Sequence, residues 1–102
     1  MENFVKVANV SEIKEGQIKV VITGKEKVIL FLKGGKFSAV SSICTHRGGP
    51  LDKGPLNGEI VTCPWHGSEF DLISGKVVKG PATASLKQFK VKVEKDDVFI
   101  SV

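Results

Sequence analysis

The amino-acid sequence predicts an all-β protein, built as an antiparallel β-sandwich. Three observations carry this. The apolar runs are short and are cut by Gly, Asn and Asp at regular spacing. The last two segments alternate apolar and polar residues with a period of two. A two-glycine turn lies between two such runs and marks a hairpin. No stretch reads as a convincing helix.

Taken in order, Gln17–Thr23 reads as a strand closed by Gly24. Lys27–Leu32 and Lys36–Ser41 flank Lys33-Gly34-Gly35 and form the hairpin. Gly34 and Gly35 do not make a phosphate loop, because no helix start follows them. Leu56-Asn57-Gly58 marks a turn, and Glu59–Thr62 is a short strand after it. Ser68–Ile73 and Lys76–Lys79 flank the turn Ser74-Gly75. Near the end, Phe89, Val91 and Val93 point one way and Lys90, Lys92 and Glu94 the other. After Lys95-Asp96-Asp97 the period resumes with Val98, Ile100 and Val102, which gives a half-buried hairpin. Many short strands of this kind suit a sandwich or barrel. There is no internal repeat, linker or low-complexity tract.

The chain has 102 residues, the size of one domain, and residues 1–102 are read as such. Hydrophobic residues make up 41% and charged residues 25%, the balance of a globular protein. No apolar run nears the roughly 20 residues that span a bilayer, so no membrane association is expected. The opening MENFVKVANV lacks a signal-peptide core, and the expected compartment is the cytoplasm. The net charge is +4, but the lysines alternate with apolar and acidic residues, which argues against a nucleic-acid face.

The chain has two cysteines and two histidines, and all four fall within positions 44–66. Cys44-Thr45-His46 runs into Arg47-Gly48-Gly49-Pro50, and Cys63-Pro64-Trp65-His66 runs into Gly67-Ser68. Each loop thus offers one thiol and one imidazole, both ligands for iron and zinc. Glycines beside them let backbone N–H groups approach a bound centre. Three readings stand. The residues are ordinary buried thiols and histidines; they form a structural zinc site; or they hold a [2Fe–2S] cluster with two Cys on one iron and two His on the other. Zinc motifs usually pair like with like, whereas here each half is mixed. The cluster explains the mixture, since each loop then grips both irons.

C-x-H, sixteen intervening residues, then C-x₂-H resembles the Rieske signature. CTHRGGPL and CPWHGSEFD-x₃-G resemble the two cluster loops of that family, and Gly80-Pro81 falls where it has a third, proline-containing loop. The resemblance implies a Rieske-like sandwich with a small cluster-binding subdomain, about residues 42–82. It implies one [2Fe–2S] cluster held by Cys44, His46, Cys63 and His66, with the cysteines on the buried iron and the histidines on the outer one. Around them it places Arg47, Gly48, Trp65, Gly67, Ser68 and Pro81. The role expected is one-electron transfer from a flavoprotein reductase to a terminal oxygenase or other acceptor, by a monomer or weak oligomer. The alternative the resemblance leaves is the Rieske small subunit of a larger oxidoreductase, similar to those of arsenite oxidase or nitrite reductase.

Two thiolates on a 2+ core leave an oxidised site neutral, whereas four would leave it at −2. Rieske centres accordingly lie at about −150 to +300 mV, against about −400 mV for plant-type ferredoxins. The respiratory branch of the family adds a disulfide across the loops. Gly49 and Trp65 stand at those positions here and exclude it. Of the two hydroxyls that branch aims at the cluster sulfurs, Ser68 keeps the first and Phe70 lacks the second. The expected potential is therefore in the lower half of the range. It should fall with rising pH as bound imidazole deprotonates. Trp65 is expected to pack between the loops, and Arg47, Asp52, Lys53 and Glu69 are candidate docking charges. The chain has no further histidine for a mononuclear iron and no G-x-G-x-x-G, so no complete enzyme is expected.

Overall fold

A computed structural model describes residues 3–23, 26–45, 48–65 and 67–101. Its eleven strands among these residues are β1 Phe4–Asn9, β2 Ile18–Thr23, β3 Glu26–Lys33, β4 Lys36–Ser41, β5 Leu56–Asn57, β6 Ile60–Thr62, β7 Glu69–Asp71, β8 Val77–Lys79, β9 Gln88–Phe89, β10 Val91–Glu94 and β11 Asp97–Ser101. They form three antiparallel sheets. The order is β1-β11-β10 in the first, β2-β3-β4-β9 in the second and β5-β6-β7-β8 in the third.

The second sheet is the middle layer. On one side Val21, Val28, Leu30, Ala39 and Phe89 pack against Ala8, Val98 and Ile100 of the first sheet. On the other, Ile29, Phe31 and Val40 pack against Leu51, Val61, Phe70, Leu72 and both cysteines. This explains why Val28-Ile29-Leu30-Phe31 is apolar without alternation: both faces of β3 are covered. Two packed cores thus share one sheet.

β3 and β4 pair from Val28↔Ser41 to Lys33↔Lys36. Their turn is Gly34-Gly35, both with positive φ, 61° and 76°. That is the geometry a two-residue hairpin needs and side chains resist. The Glu15 carboxylate accepts from the N–H of Gly34 at 2.6 Å and of Gly35 at 3.2 Å. Those two bonds hold its pKa below the usual carboxylate range.

Three features differ from the sequence expectation. β1 was not anticipated; its register shifts between Lys6 and Ala8, which breaks the alternation, and Phe4 lies under the Lys92 ammonium, 5.0 Å from the ring centre. Leu56-Asn57 is a strand and not a turn; the turn is Gly58-Glu59. The last apolar alternation is split at Lys90: Phe89 pairs with β4, while Val91–Glu94 pair with β11. The chain changes sheets there and joins the first two layers along one side. The expected strand end at Gly24 and the final Val102 lie outside the described residues. No helix among those residues is long and apolar enough to cross a membrane.

Candidate metal centre

The two cysteine loops emerge from different strands yet repeat one backbone form. Loop 1 leaves β4 and is closed by the bridge Ile43↔Pro50. Loop 2 joins β6 to β7 and is closed by Thr62↔Glu69. In loop 1 the Cys44 N–H donates to Gly49 O at 2.9 Å, and the Gly48 N–H donates to Cys44 O at 2.9 Å. In loop 2 the Cys63 N–H donates to Ser68 O at 2.7 Å, and the Gly67 N–H donates to Cys63 O at 3.1 Å. Gly48 and Gly67 close the two turns with φ of 74° and 80°, a region costly for any residue with a Cβ. The sequence shows no repeat because the frame is made of backbone bonds. Only Cys and, four residues on, Gly recur.

The loops meet. A Cβ at Gly49 would stand 2.7 Å from Cys63 Sγ. Cys44 and Cys63 are 3% and 2% exposed and neither is in a disulfide. A third segment, with a cis Gly80–Pro81 bond, ties the loops together. Thr45 Oγ1 of loop 1 donates to Ala84 O at 2.6 Å. Ser68 of loop 2, fully buried, accepts from the Ala82 N–H at 3.0 Å through its Oγ. That leaves the Ser68 hydroxyl proton to donate elsewhere. Pro81 is exposed; Trp65 is 57% exposed, with its indole Cγ and Cδ2 against Gly49 of loop 1.

His46, Arg47 and His66 lie outside the described residues. Among the expected docking charges, Lys53 is exposed. Asp52, also expected to be a docking charge, is instead held inside: its side chain is 7% exposed, with Lys27 Nζ at 3.0 Å and the Ser42 hydroxyl at 2.9 Å. Burial pushes the Asp52 pKa up, and the bonds from Lys27 and Ser42 outweigh it, so the net shift is downward. Gly54 was missed altogether; a Cβ there would overlap the carbonyl oxygen of Thr62, beside Cys63. Nothing in the sequence signals this, since the clash arises only once β6 folds back beside Gly54.

Two reduced, buried thiols on matched loops, with one loop's backbone against the other's sulfur, fit a thiolate-held metal group and no disulfide. The fold thus presents two buried thiols where two matched loops meet, on a three-layer β scaffold. The chain matches the model of the Rieske [2Fe-2S] domain over residues 3–90 and belongs to that family. Its cofactor is one [2Fe–2S] cluster.

The chain is similar to apoptosis-inducing factor 3 of Homo sapiens, 39% identical over 94 residues, which are 92% of this chain and 16% of that protein. It is similar to the cytochrome b6-f complex iron-sulfur subunit of Chlorobaculum thiosulfatiphilum, 36% identical over 93% of this chain and 51% of the subunit. It therefore spans about a sixth and about half of these two relatives. Among solved structures it resembles a chain in the complex of reduced oxygenase and oxidized ferredoxin in carbazole 1,9a-dioxygenase. There the TM-score is 0.87 at 30% identity, over 96% of this chain and 92% of that one.

Proposed function

We propose that this chain is a one-electron carrier whose cluster is held by Cys44, His46, Cys63 and His66. In this reading it takes electrons from a flavoprotein reductase and gives them to a terminal oxygenase or another acceptor. The observation that carries it is the pair of buried, unbridged cysteines on twin loops, in a chain that a carbazole dioxygenase structure matches along nearly its whole length. When bound, the cluster accepts and returns one electron. The protein's own residues do the rest. Cys44 and Cys63 supply thiolates from a dry core. Thr45 and Ser68 fix both loops to the third segment. Ile43 and Trp65, 45% and 57% exposed, flank Gly48-Gly49 and offer an apolar contact surface. Electron-transfer encounters are small and short-lived, and an exposed apolar pair beside the loops suits them.

Residues 1–102 are read as one such domain with its cluster subdomain at about 42–82, working in the cytoplasm as a monomer or weak oligomer and catalysing no reaction itself. A second reading, a fixed redox subunit, is favoured by the likeness to half of the cytochrome b6-f subunit. Visible and EPR spectra before and after dithionite, with iron and zinc counted on the same sample, test the site. Two irons per chain are expected, and a colourless or zinc-loaded protein refutes the assignment. Native mass and reduction by a flavoprotein reductase then separate shuttle from subunit.

A further inference from the structure

We infer that Trp65 is a positioning residue that clamps loop 2 onto loop 1 and keeps water from Cys63, with Gly49 as the seat it requires. The inference rests on the proposed reading of these loops as the cluster site.

Gly49 is buried although it lies in a loop, and its φ is not in the left-handed region. The loop's own backbone therefore does not demand glycine there. The matching offset in loop 2 is Ser68, which carries a side chain. What demands glycine is the other loop. A Cβ at 49 would stand 2.7 Å from Cys63 Sγ, 3.2 Å from Trp65 Cδ2 and 3.3 Å from Trp65 Cγ. All three atoms belong to loop 2, so the two loops come close at this α-carbon. The absent side chain is what lets them close.

Trp65 fills the space beside that carbon. It is 57% exposed, and Pro64 is exposed too, yet Cys63 next to them is only 2% exposed. The covered part of the indole includes Cγ and Cδ2, which lie against Gly49 on the same α-carbon that faces Cys63 Sγ. A tryptophan supplies a large rigid surface at low cost in side-chain freedom, which suits a clamp that is not covalent.

Exclusion of water has a redox sign. With two thiolates and neutral imidazoles the oxidised site is neutral and the reduced site carries −1. Water favours the more charged state. Opening the clamp should raise the reduction potential, whereas a merely looser fold would speed iron loss without that sign.

The test uses the cluster-loaded full chain as Trp65→Ala, Trp65→Phe, Gly49→Ala and the Gly49→Ala/Trp65→Ala double variant. Iron content and the EPR signal of the unaltered chain come first; failure there refutes the site reading and not the clamp. Given a cluster, chelator-driven bleaching should be about tenfold faster in Trp65→Ala and Gly49→Ala, and within threefold of the parent in Trp65→Phe. The double variant should bleach no faster than the faster single, because both changes open one contact. The potential of Trp65→Ala should rise, by up to about 59 mV for a tenfold gain in the reduced-to-oxidised ratio. Unchanged bleaching, an unchanged or lowered potential, or additive effects in the double variant would overturn the inference. If Trp65→Ala does not accumulate, Trp65→Leu against Trp65→Phe gives the same comparison: the smaller side chain must bleach faster.

Discussion

Asp52→Ala tests whether the cysteine loops are anchored to the middle sheet by a buried polar latch. Asp52 lies in the 3-10 turn Leu51–Lys53 that follows loop 1. Lys27 belongs to β3 and Ser42 follows β4. Backbone bonds frame the latch, from Ser42 N–H to Lys27 O and from Leu51 N–H to Ser42 O, each 2.9 Å. Ser42 is fully buried, so losing its carboxylate partner strands a hydroxyl at roughly 1–3 kcal/mol. Lys27 is 34% exposed and regains water once Asp52 is gone, so its pairing adds about 1 kcal/mol and not the 3–5 of a fully buried pair. Together these make about 2–4 kcal/mol, or a fall of roughly 10–25 °C in Tm for a domain of this size. Far-UV circular dichroism at a fixed scan rate reads it.

The sign with pH is fixed by the lowered pKa. Stability from a depressed carboxylate is full above its unfolded pKa of about 3.9 and is lost as pH falls through the folded value. Asp52→Asn, which keeps the shape, should therefore cost the same at pH 8 and pH 6 and progressively less below about pH 4. A Tm loss under about 3 °C for Asp52→Ala, or a cost for Asp52→Asn that does not shrink in acid, would refute the latch.

Gly54→Ala should be the most damaging small change, costing more than about 4 kcal/mol, because the new Cβ meets the Thr62 carbonyl and stands 3.2 Å from Pro64 Cδ; the measure is the yield of coloured protein. Thr45→Val removes the bond to Ala84 O and should cost about 1 kcal/mol while speeding cluster bleaching. Ser68→Ala should lower the reduction potential, since it deletes a hydroxyl whose proton is not used on Ala82; voltammetry showing no shift places that proton elsewhere. Gly35→Ala should cost about 1–2 kcal/mol in a urea titration, because its φ of 76° is left-handed.

What the sequence made legible was local. The β3–β4 hairpin was readable because a Gly-Gly pair with two positive φ values has a chemical signature. β4 was anticipated at Lys36–Ser41, the span observed. The two cysteine loops were readable because each strand end is followed by a Cys, a His and a Gly within a stretch of five residues. What stayed hidden depends on distant partners. The sheet change at Lys90 leaves the alternation of Phe89, Val91 and Val93 intact, so a single long strand looked the same. Asp52 looked like a surface charge because Lys27 is far away in sequence. Gly49 reads from sequence only as a residue that cannot form a disulfide, and Gly54 carries no sequence signal, though each is demanded by an atom of another segment.

The twin loops explain how such a site can be both fixed and variable. Each frame is set by a closing residue pair, two backbone hydrogen bonds at the cysteine and a left-handed glycine four residues on. None of these constrains the chemistry of the three residues between. The sequence uses that freedom: His46 stands two places after its cysteine and His66 three after its own, while Trp65 and Arg47 take the complementary offsets. The residues between can therefore change on a frame that does not. Loop 1 leaves the sheet that is buried on both faces, and both cysteines pack into the core between that sheet and the third, so displacing a loop means disturbing a packed core. A redox centre benefits from such rigidity, because supporting groups that are already in place need not reorganise when charge arrives.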